Sequence, residues 1–200
     1  MVRADPANPN STAGVHGSLT ANGAGVGATG GTIETSGYRL DTSAVQVSAA
    51  APQGQGGTWL LDPDLVDITA TGGAGPSYTA YSPISYQSAA SIVSSLSAGT
   101  NVTITASSST MSDIAVDAPI ARTSGTSAAT LTLGATNTIV VNQPISSTAG
   151  PVNVTLLADS DHDGIGIVIL KNNITTNGGN ITFGVNSSGT LATCSLTGCA

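Results

Sequence analysis

Ile114-Ala-Val116-Asp-Ala-Pro-Ile120 returns as Ile139-Val-Val141-Asn-Gln-Pro-Ile145, and again, more loosely, as Val168-Ile-Leu170-Lys-Asn-Asn-Ile174. Each copy runs into a small polar turn with a glycine: Thr123-Ser-Gly125, Thr148-Ala-Gly150, then Asn177-Gly-Gly179. Each turn leads to a second alternating segment, Leu131-Thr-Leu133, Val154-Thr-Leu156 and Ile181-Thr-Phe183. The last isoleucines of the copies stand 25 and then 29 residues apart. A repeat of that length, built from short strands and turns with no room for a full helix, is the mark of a solenoid. Apolar and polar residues alternate, so each strand has one buried face. Stacking the copies puts Ile120 over Ile145 over Ile174, with every strand hydrogen-bonded to its equivalents above and below. The expected fold is therefore all-β, a parallel β-helix around an aliphatic column. A β-sandwich also uses short strands and regular turns, but it does not require matched strand–Pro–Ile–turn–strand blocks at near-constant spacing.

Composition agrees. Aromatic residues are 3 % of the 200-residue chain, and a core of Val, Ile, Leu and Ala suits narrow stacked coils better than an interior anchored by large rings. Charged residues are 8 %, with a net charge of −7. The four basic residues, Arg3, Arg39, Arg122 and Lys171, are scattered. They cannot neutralise a run of phosphates, so nucleic acid is not an expected partner; nor is an anionic lipid surface. No stretch reaches the ~18 to 20 apolar residues of a spanning helix, and Met1-Val2-Arg3-Ala4-Asp5 does not open a signal peptide. A rhythm still running near Val185, with no polar capping unit at either end, reads as an internal piece of a longer chain.

Along the chain, residues 1–28 read as a linker or a frayed first coil, 29–186 as β-helix repeats, and 187–200 as a tail. Val45-Gln-Val47-Ser-Ala49 alternates as a strand, and Pro63 breaks the strand that holds Trp59. Residues 70–87 read as an insertion loop carrying Tyr78, Tyr81 and Tyr86, either a contact patch or a cover over the coil surface. One short helix is predicted near 88–97, capped by Ser88, faced by Ala89, Ile92, Val93 and Leu96, and stopped by Gly99. Cys194 and Cys199 either close a small disulfide loop or remain two thiols; with no other ligand nearby they do not suggest zinc.

Three patterns bear on chemistry. Asp159-Ser-Asp161-His-Asp163-Gly164 has the Asp-x-Asp-x-Asp-Gly spacing of calcium loops, in which alternate carboxylates converge on one hard cation where the chain turns. Position twelve of such a loop is Leu170, not Glu, which excludes an EF-hand and leaves a partial calcium site or a plain polar turn. Asp113 and Asp117 near Arg122 form the best cluster for an enzyme acting on acidic polysaccharide; solvated strand ends explain them as well. Thr103/Thr105 and Thr130/Thr132 repeat Thr-x-Thr, an array type that can bind ice when stacked, but two non-repeating instances are what a Thr-rich strand gives by chance. His16 stands alone and reads as exposed, and neither histidine lies in a setting for Ser/His/Asp catalysis.

Gly30-Gly-Thr-Ile-Glu-Thr-Ser-Gly37, Gly56-Gly-Thr-Trp-Leu-Leu-Asp-Pro-Asp64, the Ala/Ser helix ending in Ala98-Gly-Thr-Asn-Val-Thr-Ile104, and Thr175-Thr-Asn-Gly-Gly-Asn-Ile-Thr-Phe183 together resemble the filamentous-haemagglutinin-type large exoproteins. The likeness covers about residues 28 to 186, and Trp59-Leu-Leu-Asp-Pro63 is its most specific part. It implies a right-handed β-helix, export through an outer-membrane secretion partner, an extracellular place on a bacterial surface, and adhesion to a host receptor or glycan. The family's amino-terminal secretion domain is not in this sequence. The leading expectation is a non-enzymatic shaft that carries a binding region away from the cell. A polysaccharide-active β-helix enzyme and a calcium-stabilised exoprotein module are the alternatives.

Overall fold

The computed structural model describes residues 1–5, 8–72, 84–107 and 111–184. The chain winds as a parallel β-helix of about six turns, with a single short helix among the described residues. The first coil holds β1 (Val2–Arg3), β2 (Thr12–Gly14) and β3 (Gly17–Thr20); the second holds β4 (Thr32–Ser36), β5 (Arg39–Asp41) and β6 (Val45–Ser48). The third holds β7 (Thr58–Asp62), β8 (Leu65–Thr69), β9 (Ile84–Ser88) and α1 (Ala89–Ser97). The fourth is β10 (Asn101–Ala106), β11 (Ile114–Val116) and β12 (Ile120–Arg122), and the fifth is β13 (Ala129–Ala135), β14 (Ile139–Val141) and β15 (Ile145–Ser147). The sixth is β16 (Val152–Leu157), β17 (Val168–Leu170) and β18 (Ile174–Thr175), after which β19 (Ile181–Phe183) starts another rung.

One face is a continuous seven-stranded sheet, β1-β4-β7-β10-β13-β16-β19. The repeat noticed in the sequence is the register of the other two faces. Ile114 pairs with Ile139, and Ile139 with Val168; Ile120 pairs with Ile145, and Ile145 with Ile174. On the long sheet Leu131 lies between Val102 and Val154, and Leu133 between Ile104 and Leu156. Apart from Ile174, which is half-buried, these side chains are inaccessible or nearly so, and each fully buried Leu or Ile contributes about 1.5–3 kcal/mol. Like residues at like heights keep the inner column filled, which is why a one-residue slip in any rung is disfavoured. Gly30-Gly31-Thr32 and Gly56-Gly57-Thr58 are one such repeat at a corner: Thr32 pairs with Thr58 and Ile33 with Trp59. A Cβ on Gly57 would sit 2.0 Å from the Gly31 carbonyl oxygen, so this corner closes only without a side chain.

Of the two readings of residues 1–28, the described residues take the coil: β1, β2 and β3 pair in parallel with β4, β5 and β6. The insertion loop of 70–87 ends before its last residues, because Ile84–Ser88 is a strand paired with β8. Tyr86 lies in that strand, while Tyr78 and Tyr81 fall outside the described residues, as do Cys194, Cys199 and the tail from 187.

The helix forms as its caps predict. The Ser88 hydroxyl accepts from the Ser91 amide, and Gly99 at φ +84° takes the left-handed position past the last turn. It occupies the place of a third strand, packed against β6 on one side and β12 on the other. A helix cannot extend a β ladder, so side chains serve the β6 edge. Ser95 Oγ donates to the Val47 carbonyl at 3.0 Å, and Thr100 Oγ1 accepts from the Ala49 amide at 2.8 Å. β9 does the same for β5 with its side chains: Ser85 Oγ accepts from the Leu40 amide at 3.0 Å, and Gln87 Nε2 donates to the Leu40 carbonyl at 3.1 Å.

Candidate functional site

The turn between β16 and β17 holds the acidic motif. It runs for ten residues, 158 to 167, where the coil below closes the same corner with three, 136 to 138. Backbone hydrogen bonds lay it on that coil: the Asp159 amide donates to Asn137 O at 3.3 Å and the Ser160 amide to Ala135 O at 3.0 Å. Asp159 and His162 take positive φ, 56° and 61°, and Gly164 follows at 87°, so the chain bends sharply enough to bring alternate carboxylates together. One oxygen each from Asp159, Asp161 and Asp163 lies within 4.8 Å of the other two.

The three differ in setting. Asp161 and Asp163 are exposed, whereas Asp159 is 2 % exposed. Asp159 Oδ1 accepts from the Gly164 amide at 3.0 Å, and Asp163 Oδ1 from the Ile165 amide at 2.8 Å. Asp159 Oδ2 is buried with no hydrogen-bond partner. The sequence spacing predicted the convergence; nothing in it predicted that the first carboxylate would be buried.

The cluster expected of Asp113, Asp117 and Arg122 does not form. Asp113 is turned to the next coil, where Oδ1 accepts from Asn137 Nδ2 and the Thr138 amide, both at 2.9 Å. Burial raises its pKa above the ordinary carboxylate value despite those two donors. Asp117 Oδ1 accepts from Asn142 Nδ2 at 2.6 Å. Arg122 points inward. It is 1 % exposed and donates to three backbone carbonyls: Ser124 through Nε at 3.0 Å, Pro151 through Nη1 at 3.2 Å and Ser127 through Nη2 at 2.7 Å.

One acidic residue escaped the sequence reading. Asp67, in the middle of β8, is 2 % exposed, and neither carboxylate oxygen has a hydrogen-bond partner. Burial first, and the neighbouring Asp117 second, push its pKa up to about 7. Its position in an alternating strand, Leu65-Val-Asp-Ile68, gives no hint that both faces of β8 are buried.

The outward columns of the long sheet are mainly polar, interrupted by Leu60 and Leu157. Thr103, Thr132, Thr155 and Thr182 stack in one line, and Asn101, Thr130, Asn153 and Asn180 in the next. The two Thr-x-Thr pairs are therefore offset by two residues, and a double threonine column does not form. The asparagines brace successive rungs: Asn101 Oδ1 accepts from the Thr130 amide and Asn153 Oδ1 from the Asn180 amide, each at 2.9 Å. The groove beside them, about 390 Å³ and lined by Gln55, Asn101, Thr130 and Asn153 among others, contains no titratable side chain. His16 lies at the surface, its Nε2 3.7 Å from Asp41 Oδ2.

The fold thus defines a parallel β-helix protein with an acidic turn in which Asp159 is buried, and with Asp67 and Arg122 buried elsewhere in the stack. No protein-family model, curated protein or solved structure matches the chain. Among the described residues no helix is long and apolar enough to cross a membrane.

Proposed function

We propose that the chain is a structural segment of a surface-exposed bacterial exoprotein of the filamentous-haemagglutinin kind, a non-enzymatic β-helical shaft that supports adhesion. The observation that carries this reading is the unbroken inner column beneath an outer sheet of Thr and Asn. Asn101, Thr130 and Asn153 on that sheet are half-buried and hold successive rungs together. Such a surface suits a spacer, whose task is to keep its length and direction. The motifs at Gly30–Gly37 and Gly56–Asp64, which carry the likeness to that family, are consecutive rungs of the stack, as expected of shaft repeats.

An enzyme that hydrolyses polysaccharide needs a pair of carboxylates flanking one bond on an accessible face. Asp113 and Asp117 serve neighbouring rungs and Arg122 faces inward, which supports the shaft over the enzyme. The test is immunolabelling of intact source cells with antibody to this chain, before and after mild external protease, alongside reducing-end assays on acidic polysaccharides. Protease-sensitive surface label with no released ends is the expected result. An antigen confined to the cell interior, or measurable cleavage of a polysaccharide, overturns the proposal.

A further inference from the structure

We propose that the turn between β16 and β17 binds one Ca²⁺ through Asp159, Asp161 and Asp163, and that the ion fastens this enlarged corner to the coil beneath it.

Two independent observations meet here. The first is convergence. Oxygens around a calcium ion lie about 2.3–2.6 Å from it, so opposite ligands are up to roughly 5 Å apart. Three carboxylate oxygens within 4.8 Å of one another are already inside that limit. The second is the state of Asp159. A carboxylate oxygen that is buried and unpartnered is costly, because it has lost water and gained nothing in return. Asp161 and Asp163 add like charge at short range. Among the described residues no Lys or Arg forms an ion pair with any of the three. A divalent cation supplies both a partner for Asp159 Oδ2 and a positive charge for the three carboxylates.

The donor chemistry selects the ion. The ligands are hard oxygens, without thiolate and with no requirement for imidazole, which disfavours zinc and copper. Two of the three side chains are exposed, leaving room for water in a large, irregular shell. Ca²⁺ accepts such a shell, whereas Mg²⁺ demands a near-ideal octahedron about 2.1 Å in radius. The mechanical effect follows from the attachment of the turn. Asp159 is bonded through its amide to Asn137, and Asn137 through its side chain to Asp113. Fixing Asp159 therefore fixes a corner that runs through three successive coils.

The proposal is tested by thermal unfolding of the full chain in EDTA, in CaCl₂ and in MgCl₂, with calorimetric titration of CaCl₂ in parallel. The comparison is the double variant Asp161→Asn/Asp163→Asn, which changes only exposed side chains. The wild type is expected to melt about 3 to 6 °C higher at saturating calcium, with a smaller rise in magnesium. The double variant is expected to match or exceed the wild type in EDTA, since it carries less repulsion, and to gain nothing from calcium. Asp159→Asn, which keeps the shape and tolerates the positive φ, is expected to lose the titration heat as well. A wild-type melting point indifferent to calcium overturns the site. So does an equal calcium shift in the double variant, which would place the ion elsewhere, or a large loss of stability of that variant in EDTA, which would make the carboxylates ties of the turn instead of ligands. None of these results bears on the shaft reading, which rests on other residues.

Discussion

Arg122, Ser147 and Thr176 occupy the same height on successive coils, each at or just past the end of the third strand, and each ties down the turn that follows. Ser147 Oγ donates to the Gly150 carbonyl and Thr176 Oγ1 to the Gly179 carbonyl, both at 2.6 Å. Arg122 performs this task for a wider turn, and burial holds its pKa below the ordinary value without removing the charge. Its space depends on glycine: a Cβ on Gly150 would lie 2.7 Å from Arg122 Nη2 and 2.8 Å from Gly125 O. Arg122→Met is expected to lower unfolding free energy by about 1–3 kcal/mol, because three part-buried hydrogen bonds from one charged donor are lost, and Gly150→Ala by about 1–3 kcal/mol through overpacking; urea titration measures both. Asp67 sets a pH dependence of unusual sign. Its folded pKa of about 7 lies above that of an unfolded carboxyl, so the folded chain binds the proton more tightly. The stability this confers is full below about pH 4 and is lost as pH rises to about 7; at about 1.4 kcal/mol per pH unit the loss is at most roughly 4 kcal/mol. Asp67→Asn is expected to abolish that decline and to be the more stable protein at pH 8. A variant that still loses stability between pH 4 and 7 as the wild type does would assign the effect to other groups, Asp113 first. Neither residue was legible in the sequence. Arg and Asp in short alternating strands ordinarily face water, and what buries them here is the neighbouring coil, about 25 residues away in the chain.

At the scale of elements, the strands that could be read were those whose side chains repeat. Val102, Leu131 and Val154, or Ile114, Ile139 and Val168, announce a shared rung by type alone. The first coil could not be read with the same certainty, because Ala13, Gly14, Gly17 and Ser18 have neither the bulk nor the branching that marks a strand. β9 was hidden for another reason. Its Ser85 and Gln87 are inward in character only because they hydrogen-bond to Leu40 and Thr42, some 45 residues earlier. The helix, by contrast, was legible from its caps. Gln87→Ala is expected to cost about 2–3 kcal/mol, through an unpaired Leu40 carbonyl and the space left behind, while Gln87→Glu is expected to cost more at neutral pH than at pH 4. Chemical denaturation at the two pH values separates these outcomes. For the acidic turn, the Asp-x-Asp-x-Asp-Gly spacing predicted which side chains meet. Burial of Asp159 arises from the hydrogen bonds to Ala135 and Asn137, which no local pattern encodes.

The whole molecule is a one-dimensional stack in which each coil touches its neighbours, so stability is distributed along it as a sum of rungs and interfaces. Inner and outer columns carry unequal shares. Leu133→Ala, at the centre of the buried column, is expected to lower stability by about 2–5 kcal/mol, whereas Thr132→Ala, one residue away on the outer face, is expected to change it by less than about 1 kcal/mol. Comparable losses for the two would contradict an interior filled from one side of each strand.

The stack is not uniform along its length. Where β9 and α1 lie between the second coil and the fourth, two of the three faces exchange backbone ladders for contacts made by Ser85, Gln87, Ser95 and Thr100, while the seven-stranded face passes through unbroken. A sideways load on the rod would concentrate its strain there, and the uninterrupted sheet would serve as the fold line. Deuterium uptake should reveal the same asymmetry at rest, with the amides of β5 and β6 exchanging ahead of those in β13 and β14. A stack built this way flexes at one defined height without unwinding.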